Sequence, residues 1–328
     1  ATPAFLPTPS KDSPPNRLGL AHWLFQPDHP LTARVQVNRI WQTLFGAGLV
    51  KTAEDLGVQS EIPLHRELLD WLAVEFRENG WSQKHIVRLI VTSATYRQSS
   101  RVSRDAFQRD PENTLLARGA RFRAPSLILR DIALSASGLL NPRIGGRPVY
   151  PYQPDGIWET LAITKERDFT YPASKGSDLY RRSIYTFWRR TVGPANMFDA
   201  SSRQTCKVRP NRTNTPLHAL TTLNDPTWNE AARVLAAQCI AAAQQTDPRL
   251  TLAFRRVVGR NPAPDELDTL RKMLARQQAF FRQNPDAAAK TVSIGAAPAG
   301  PPSDVHEHAA LSAVCLALFN LDEALTRE

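Results

Sequence analysis

"TPLHALTTLNDPTWNEAARVLAAQCIAAAQQ", residues 215–245, carries the signals that decide the fold. Two prolines, Pro216 and Pro226, each follow a residue that readily caps a helix, Thr215 and Asp225. Proline suits the first position of a helix, and a Thr or Asp before it can accept from the free N–H groups of the first turn. The stretch therefore predicts two consecutive helices, the second continuing through the Ala-rich run.

Helical periodicity runs through most of the remaining chain. Val37, Ile40 and Trp41 fall on one stripe between a predicted Thr32 cap and a Gly46 stop. Helices are predicted near residues 16–25, 32–45, 63–79, 82–100, 215–224, 226–245 and 304–325, with two each within 110–140 and 247–283. One strand is predicted in "RRSIYTFWRRT", residues 181–191, where side chains alternate between two faces. The sequence predicts a mainly α, multi-helix globular fold with one small β element and long ordered loops.

Changes in composition divide the chain into segments. Five prolines in the first sixteen residues are typical of an interdomain linker, and the first residue is not Met, so we expect a longer protein. We predict four segments, packed as one unit: a Pro-rich linker at 1–15, an N-terminal helical lobe at 16–140, a loop and strand region with central helices at 141–290, and a connector with a C-terminal helix at 291–328.

Composition and charge narrow the function classes. The 328 residues are 42% hydrophobic with a net charge of +10, and 33 of the 41 basic residues are arginine. Arginine binds carboxylate, phosphate and sulfate through planar, bidentate contacts. The alternative explanation of the excess is a GC-rich genome, which encodes arginine at positions where other genomes encode lysine. The basic residues are spread along the chain without a basic helix, which argues against nucleic acid. No apolar run approaches the roughly 20 residues of a membrane span.

Cysteine and histidine show no metal or haem pattern. Cys206, Cys239 and Cys315 are far apart, and neither CxxC nor CxxCH occurs, so we predict no metal site and no cofactor on this chain. His306 and His308 are two positions apart and point to different sides of a helix. Cys239 and Cys315 fall in apolar helical runs and are predicted to be core, whereas Cys206, in a polar loop, is the candidate reactive thiol.

Polar residues crowd around the two proline-started helices. Helix N-termini carry unpaired N–H groups and partial positive charge, so two such ends preceded by arginines would bind an anion. The candidate ligand-binding residues here are Arg203, Arg209, Arg212, Asn214, His218, Asn224 and Asp225. This prediction requires that they converge on one spot. The alternative is that they cap their own backbone and that Arg212 pairs with Asp225 or Asp199.

Two further arrangements are weaker candidates. In the first, His218 would act as a base, Cys206 as a nucleophile and Asp199 as the group that orients the histidine. No known catalytic motif in the sequence supports this arrangement. Tyr152 and Trp158 lie in the Pro-rich loop "YPYQPDGIW", residues 150–158, where rigid aromatic rings would stack on sugar rings. The alternative is that this loop folds down over a core as a plug.

Several segments carry a family resemblance. "LTARVQVNRIWQTLFGAGLVKTAEDLGVQSEIPLHRELLDWLAVEF" at 31–76, "GGRPVYPYQPDGIWE" at 145–159 and "FDASSRQTCKVRPNRTNTPLHALTTLNDP" at 198–226 occur in order. They resemble the C-terminal domain of planctomycete cytochrome-associated proteins, planctomycete-specific domain one, a domain of unknown function. The resemblance covers nearly the whole chain from about Asn16. This chain departs from it at Leu127, where relatives have Glu, and at Pro210-Asn211, where they have an Arg pair.

The resemblance implies a cellular context and no catalytic residues. It implies an exported, extracytoplasmic protein in which a c-type haem, where present, is carried by an upstream domain. The upstream domains of the same polypeptide are then the expected partners.

Together these observations favour a non-catalytic scaffold or ligand-binding module. Its candidate ligand is an anionic or sulfated polysaccharide, or a partner domain. The alternative is a polysaccharide hydrolase, which would need two carboxylates roughly 5 to 9 Å apart in a cleft. A purely structural role would instead leave a large apolar patch on the isolated chain. Whether the chain is an enzyme stays open.

Overall fold

The computed structural model of the chain describes residues 2–154, 156, 171–188, 193, 197–199, 207–208, 212–298, 300 and 304–327. The chain divides into two compact units. The first consists mainly of residues 1–122, and the second of 123–206 and 210–327. The helix predicted near residue 130 lies in the second unit.

The first unit is helical, and its helices begin and end where local chemistry allows. They are α1 (Arg17–Leu24), α2 (Thr32–Phe45), α3 (Arg66–Glu78), α4 (Gln83–Val91) and α5 (Arg104–Arg109). The Asn16 side chain accepts from two N–H groups of α1, and the Ser82 hydroxyl accepts from the His85 N–H of α4. Gly46 ends α2 in the left-handed conformation, at φ 81°.

Helices α2, α3 and α4 pack on one another around the core of the first unit. The predicted apolar stripe of α2 is confirmed, since Val37, Ile40 and Trp41 are buried. They meet buried residues of α3 and α4, namely Leu69, Leu72, Phe76, Ile86 and Ile90. Asn38 is also buried because its side chain binds both the N–H and the carbonyl of Val50, at 2.9 and 3.0 Å. This pair of bonds fixes the loop after α2.

The second unit holds eight helices among the described residues. They are α6 (Ser126–Ala136), α7 (Pro216–Asn224), α8 (Pro226–Ala242), α9 (Thr246–Val258), α10 (Pro264–Gln283), α11 (Pro285–Ser293), α12 (Val305–Leu318) and α13 (Asp322–Leu325). Both proline-started helices of the opening stretch are confirmed. The small β element is a two-stranded antiparallel sheet of β1 (Phe122–Arg123) and β2 (Thr326–Arg327). The fold is mainly α, as predicted.

Helices α8 and α12 form the centre of the second unit. Both are buried around most of their circumference and pack on each other, while α6, α9, α10 and α11 surround them. Their contact is made largely by small and branched side chains, which allows the two backbones to approach closely. The predicted core cysteines, Cys239 of α8 and Cys315 of α12, lie here with no exposed surface. Burial raises the pKa of Cys239 to about 11, so the thiol stays protonated.

Among the described residues of the second unit three arginines are buried, and all three bind backbone carbonyls of the segments that connect helices. Arg130 donates to the carbonyls of Leu179 and Arg181. Arg181 donates to carbonyls of residues 143, 145 and 147, and Arg233 to those of residues 294, 297 and 298. Loops that leave the helical core thus obtain the hydrogen bonds that regular structure would otherwise provide. Part of the arginine excess in the sequence is therefore structural.

The predicted strand at 181–191 is wrong. Ser183–Tyr185 forms a 3-10 turn, flanked by isolated bridges of Asn141 with Arg181 and of Val149 with Thr186. The Ser183 N–H and hydroxyl both bind Asp131, at 2.8 and 2.7 Å, and this holds the backbone in the turn. Residues 189–191 lie outside the described part. Alternating β-branched and aromatic residues favour a strand only where a neighbouring strand is available for pairing.

Four boundaries also differ from the prediction. Helix α2 has Leu31 at its N-cap, because the Thr32 hydroxyl donates to Leu24 O instead. Of the two helices expected at 110–140 only α6 forms, since the Asp110 carboxylate binds the N–H groups of residues 114 and 115 in a turn. Helix α11 extends to Ser293, three residues into the segment predicted as a connector from residue 291. The predicted final helix is broken between α12 and α13. No helix in the described ranges is long and apolar enough to cross a membrane.

Candidate functional site

The segment before α7 is held by the side chain of Asp199, 14 residues earlier in the chain. Asp199, at φ 60°, accepts from the Thr213 N–H at 2.6 Å and from its hydroxyl at 2.8 Å. Two residues on, Thr215 stands at the N-cap of α7, although its side chain makes no capping bond. The segment is therefore positioned by Asp199 and not by its own cap.

Asn214 and His218 lie beside an arginine that the sequence analysis did not single out. Arg123, in β1, donates from Nη1 to Asn214 Oδ1 at 2.8 Å, and its guanidinium lies 5.9 Å from the centre of the Phe198 ring. Phe198 in turn stacks on the His218 ring at 3.9 Å, with 15° between the planes. We call Arg123, Phe198, Asp199, Asn214 and His218 the α7-start cluster.

Arg123 is in an unusual electrostatic position. Partial burial lowers the pKa of its guanidinium, and the negative charges of Asp199 and Asp322 only partly oppose this effect. Among the described residues its hydrogen-bond partner is a neutral amide and its ring contact is a phenyl group. By contrast, Arg249, Arg260 and Arg271 each bind a carboxylate directly. The Arg123 cation is thus partly desolvated without a bonded anion in the described part of the chain.

The structure divides the described candidates near the proline-started helices into two groups. Arg212, Asn214 and His218 lie near the start of α7, where Arg212 is half-buried and has contacts of its own. Asn224 and Asp225 lie at its other end, about 13 Å away for a nine-residue helix. Since α8 begins where α7 ends, the two helix starts do not share one spot.

The second group has structural contacts. The Asn224 side chain donates to Leu220 O at 2.7 Å, and Asp225 accepts from the Thr227 N–H at 2.8 Å, as a helix cap does. The capping interpretation is therefore confirmed for Asp225. Three other candidates in this region, Arg203, Cys206 and Arg209, lie outside the described residues, as does Trp158 of the aromatic loop.

The base, nucleophile and orienting group predicted from His218, Cys206 and Asp199 cannot be assembled from the described residues alone. The His218 ring is stacked on Phe198, and its Nδ1 is buried with no hydrogen-bond partner among the described atoms. The Asp199 carboxylate is bonded to Thr213. Cys206 is not described, so this arrangement stays a prediction.

Tyr152 is half-buried and lies at the edge of a hydrogen-bonded network around the buried Glu230. Its hydroxyl accepts from the Ala296 N–H at 2.8 Å. The neighbouring Tyr180 hydroxyl donates to Glu230 Oε1 at 2.8 Å, and the same oxygen accepts from the Ala297 N–H at 2.6 Å. Burial raises the pKa of both tyrosines, with a further contribution from the Glu230 carboxylate. This network attaches the loop after α11 to α8, and it supports the plug interpretation of the Tyr152 loop.

A concave feature lies in the first unit, and none of the residues that line it is among the candidate site residues predicted from the sequence. It is a cavity of about 580 Å³ with mainly apolar walls, to which Trp23, Phe25, Val35 and Trp81 contribute. These residues come from three separate helices and turns, so no local sequence signal joins them. Arg123 likewise gives no local signal, because it lies 91 residues before Asn214 in the sequence.

No metal-ligand cluster is present in the part of the chain that the structure describes. The ring of His306 contacts the carbonyl of Phe281, and the ring of His308 contacts the carbonyl of Arg233, both at 2.9 Å. The two imidazoles therefore point to different partners, as their spacing predicted.

Comparison with known proteins places the chain in a family without assigning an activity. No curated protein and no solved structure matches it. The model of one family matches residues 16–274, which include all of the first unit's helices and α6 to α9 with the first half of α10. That family is described as PSD1, protein of unknown function (DUF1553). The resemblance found in the sequence is thereby confirmed at the level of the domain, and the chain belongs to the PSD1 (DUF1553) family.

Proposed function

We propose that the chain is a ligand-binding module and that its α7-start cluster binds sulfated polysaccharide. The observation that carries this proposal is the Arg123 guanidinium, which is partly desolvated and bonded to the neutral Asn214 amide. A sulfate group would provide the anion that the described contacts of Arg123 lack, through two parallel charge-assisted bonds. The net charge of +10 would attract a polyanion to the domain before contact.

The neighbouring rings support a sugar ligand over a free anion. Phe198 and His218 form a stacked pair in contact with Arg123 and are both partly exposed. Aromatic faces pack on the apolar faces of sugar rings, while Asn214 can bond to hydroxyls. A sulfated sugar presents both chemistries at once. His218 is thereby retained as a binding residue, with a contact role and not a catalytic one.

The test measures binding of labelled dextran sulfate and of unsulfated dextran by fluorescence anisotropy, over a series of NaCl concentrations. We expect binding to dextran sulfate alone, weakening as salt screens the charges. Arg123→Gln should weaken it roughly 10-fold or more, because a hydrogen bond to a charged group contributes about 1.5–3 kcal/mol. Arg276→Gln is the matched control, since it removes the same charge from an exposed position of α10.

Two outcomes would count against the proposal. If neither dextran binds with salt sensitivity, a sulfated ligand is excluded. If Arg123→Gln and Arg276→Gln weaken binding equally, the net charge binds the polymer and the α7-start cluster is not the site. Thermal unfolding of each variant confirms that both remain folded at the temperature of the assay.

The hydrolase alternative receives no support from the described carboxylates of the second unit's network. Glu230 is 0% exposed and is bonded to Tyr180 and to the Ala297 N–H, so a polymer cannot reach it. From the family resemblance alone we also propose that the module is exported and acts beside upstream domains of the same polypeptide, one of which carries the c-type haem where that cofactor is present.

A further inference from the structure

We propose that the cavity of the first unit is a second binding site, specific for a small anion with a flat aromatic body. The site is formed by α1, the start of α2 and the turn between α3 and α4. Its volume of about 580 Å³ lies within the range of about 300–1,000 Å³ that is usual for small-molecule sites. This inference is independent of the proposed polysaccharide site, which lies in the other unit.

The walls of the cavity are aromatic and are held by edge-to-face contacts. Phe25 and Trp81 meet at 4.6 Å with 67° between their planes, and Trp81 meets Phe76 at 5.3 Å. The Trp23 indole donates to the carbonyl of Pro7 at 2.6 Å, so the N-terminal segment closes one side and contributes Leu6 to the lining. Flat rings would pack between these rigid walls with little loss of side-chain entropy.

Trp81 occupies a strained backbone conformation. Its φ is 59°, in the left-handed region, and it follows Gly80 at φ 65°. A bulky side chain is unfavourable in this region because its Cβ approaches the backbone carbonyl. The Trp81 N–H donates to Phe76 O at 2.8 Å, which fixes the turn so that the indole faces the cavity as a lining residue. Such strain is typical of residues that are held in place for binding.

The polar groups of the lining favour an anion. Arg39, on α2, is exposed at the cavity and has no hydrogen-bond or ion-pair partner for its guanidinium among the described residues. The lining contains no aspartate or glutamate. His29 also lines the cavity, and its Nε2 is buried without a hydrogen-bond partner in the described part of the chain. A carboxylate near Arg39 would gain a charge-assisted bond that no residue of the lining supplies.

Two probes of equal shape and different charge test this site. Binding of naphthoate and of the neutral naphthalenemethanol is followed through the indole resonances of the tryptophans by NMR. We expect naphthoate to bind more tightly by roughly 10-fold or more, as a charged hydrogen bond predicts. Arg39→Gln should abolish that difference, while Arg101→Gln, which removes an exposed arginine elsewhere in the first unit, should preserve it.

A second variant tests the cavity in a different way, by filling it. Val35→Trp would fill the cavity without removing an aromatic wall, and thermal unfolding shows whether it folds; naphthoate binding should then be lost. The proposal is overturned if neither probe binds, if the two probes bind equally, if Arg39→Gln keeps the preference for naphthoate, or if naphthoate still binds to folded Val35→Trp. It is supported if the preference is lost in Arg39→Gln and kept in Arg101→Gln, and if folded Val35→Trp binds neither probe.

Discussion

Gly295 offers the sharpest test of the buried network that joins the loop after α11 to α8. Its φ is 88°, a conformation that L side chains rarely adopt. A Cβ at this position would lie 2.5 Å from Glu230 Cγ and closer still to its carboxylate carbon. Glu230 cannot move aside because it is fully buried and bonded to Tyr180 and Ala297. We therefore expect Gly295→Ala to be strongly destabilising.

The expected loss of unfolding free energy has three sources. The left-handed conformation costs a residue with a Cβ about 1–2 kcal/mol. Overpacking against a rigid buried side chain costs about 1–3 kcal/mol. Displacing Glu230 would weaken its bond from the Ala297 N–H, and an unsatisfied buried group costs about 1–3 kcal/mol. Together these ranges give about 3–8 kcal/mol, and values above about 4–5 kcal/mol are exceptional for a single substitution.

Gly259 provides a matched control. It ends α9 at φ 86°, and a Cβ there would meet nothing within 4 Å. Gly259→Ala should therefore cost only the conformational term of about 1–2 kcal/mol, and the effect of alanine on the unfolded chain is the same in both variants. For a unit of about 200 residues these values correspond to a lowering of Tm by roughly 6–32 °C for Gly295→Ala and roughly 2–8 °C for Gly259→Ala.

Urea unfolding followed by circular dichroism, together with thermal scans, measures both variants against the parent chain. Equal destabilisation of the two variants would refute the reasoning, because it would mean that the loop at Gly295 is not held against Glu230. A larger loss for Gly295→Ala that disappears in combination with Glu230→Ala would identify the carboxylate side chain as the obstacle.

Three further predictions concern pH and packing. Burial lowers the pKa of His308 from 6.5, so below about pH 6.5 the unfolded state binds more protons than the folded state. The free energy of unfolding should therefore fall as pH drops below about 6.5, and His308→Gln should make this fall less steep. Hydrogen bonds from Arg260 and the Ala263 N–H lower the pKa of Glu266 from 4.5 to about 2. The ionised carboxylate therefore contributes fully to the free energy of unfolding above about pH 4.5, and this contribution is lost as pH falls towards 2. In Glu266→Gln this part of the loss of stability in acid should be absent. Leu220→Ser, at 58% exposed on α7, should change stability by less than about 0.5 kcal/mol, whereas Leu235→Ala, at 0% exposed, should cost about 2–5 kcal/mol.

Urea titrations across the pH range measure the first two effects, and urea unfolding at neutral pH measures the third. A His308→Gln variant with an unchanged slope between pH 6.5 and pH 5 would show that another group controls acid unfolding there. If Glu266→Gln loses stability in acid as the parent chain does, the ion pair of Glu266 with Arg260 does not cause that loss. Strong destabilisation by Leu220→Ser would mean that the exposed face of α7 is covered in solution.

The helices were predictable because their signals are local. Asn16, Ser82 and Asp225 cap helices through their own side chains, and Gly46 ends one through its own backbone conformation. The errors arose where a distant partner determined the local structure. Asp131 holds Ser183 in a turn within the predicted strand, and periodicity alone cannot reveal a partner 52 residues away.

The candidate site was predicted only in part for the same reason. Asn214 and His218 stood out in a polar stretch beside a proline, whereas Arg123 reaches Asn214 across 91 residues of chain. The assumption that two helix starts converge neglected the length of α7, which separates them. The cavity in the first unit left no sequence signal, since its aromatic walls come from elements that are adjacent only after folding.

The central position of α12 shows that the boundary of the family match does not coincide with the boundary of the folded second unit. The family match ends at residue 274, yet α12 begins at Val305 and fills the interior next to α8. A fragment that stops at residue 274 would expose the apolar surface of α8 to water and would be prone to aggregation. The core of the second unit therefore extends to Leu325, and comparisons limited to the matched range omit the helix that covers the apolar surface of α8.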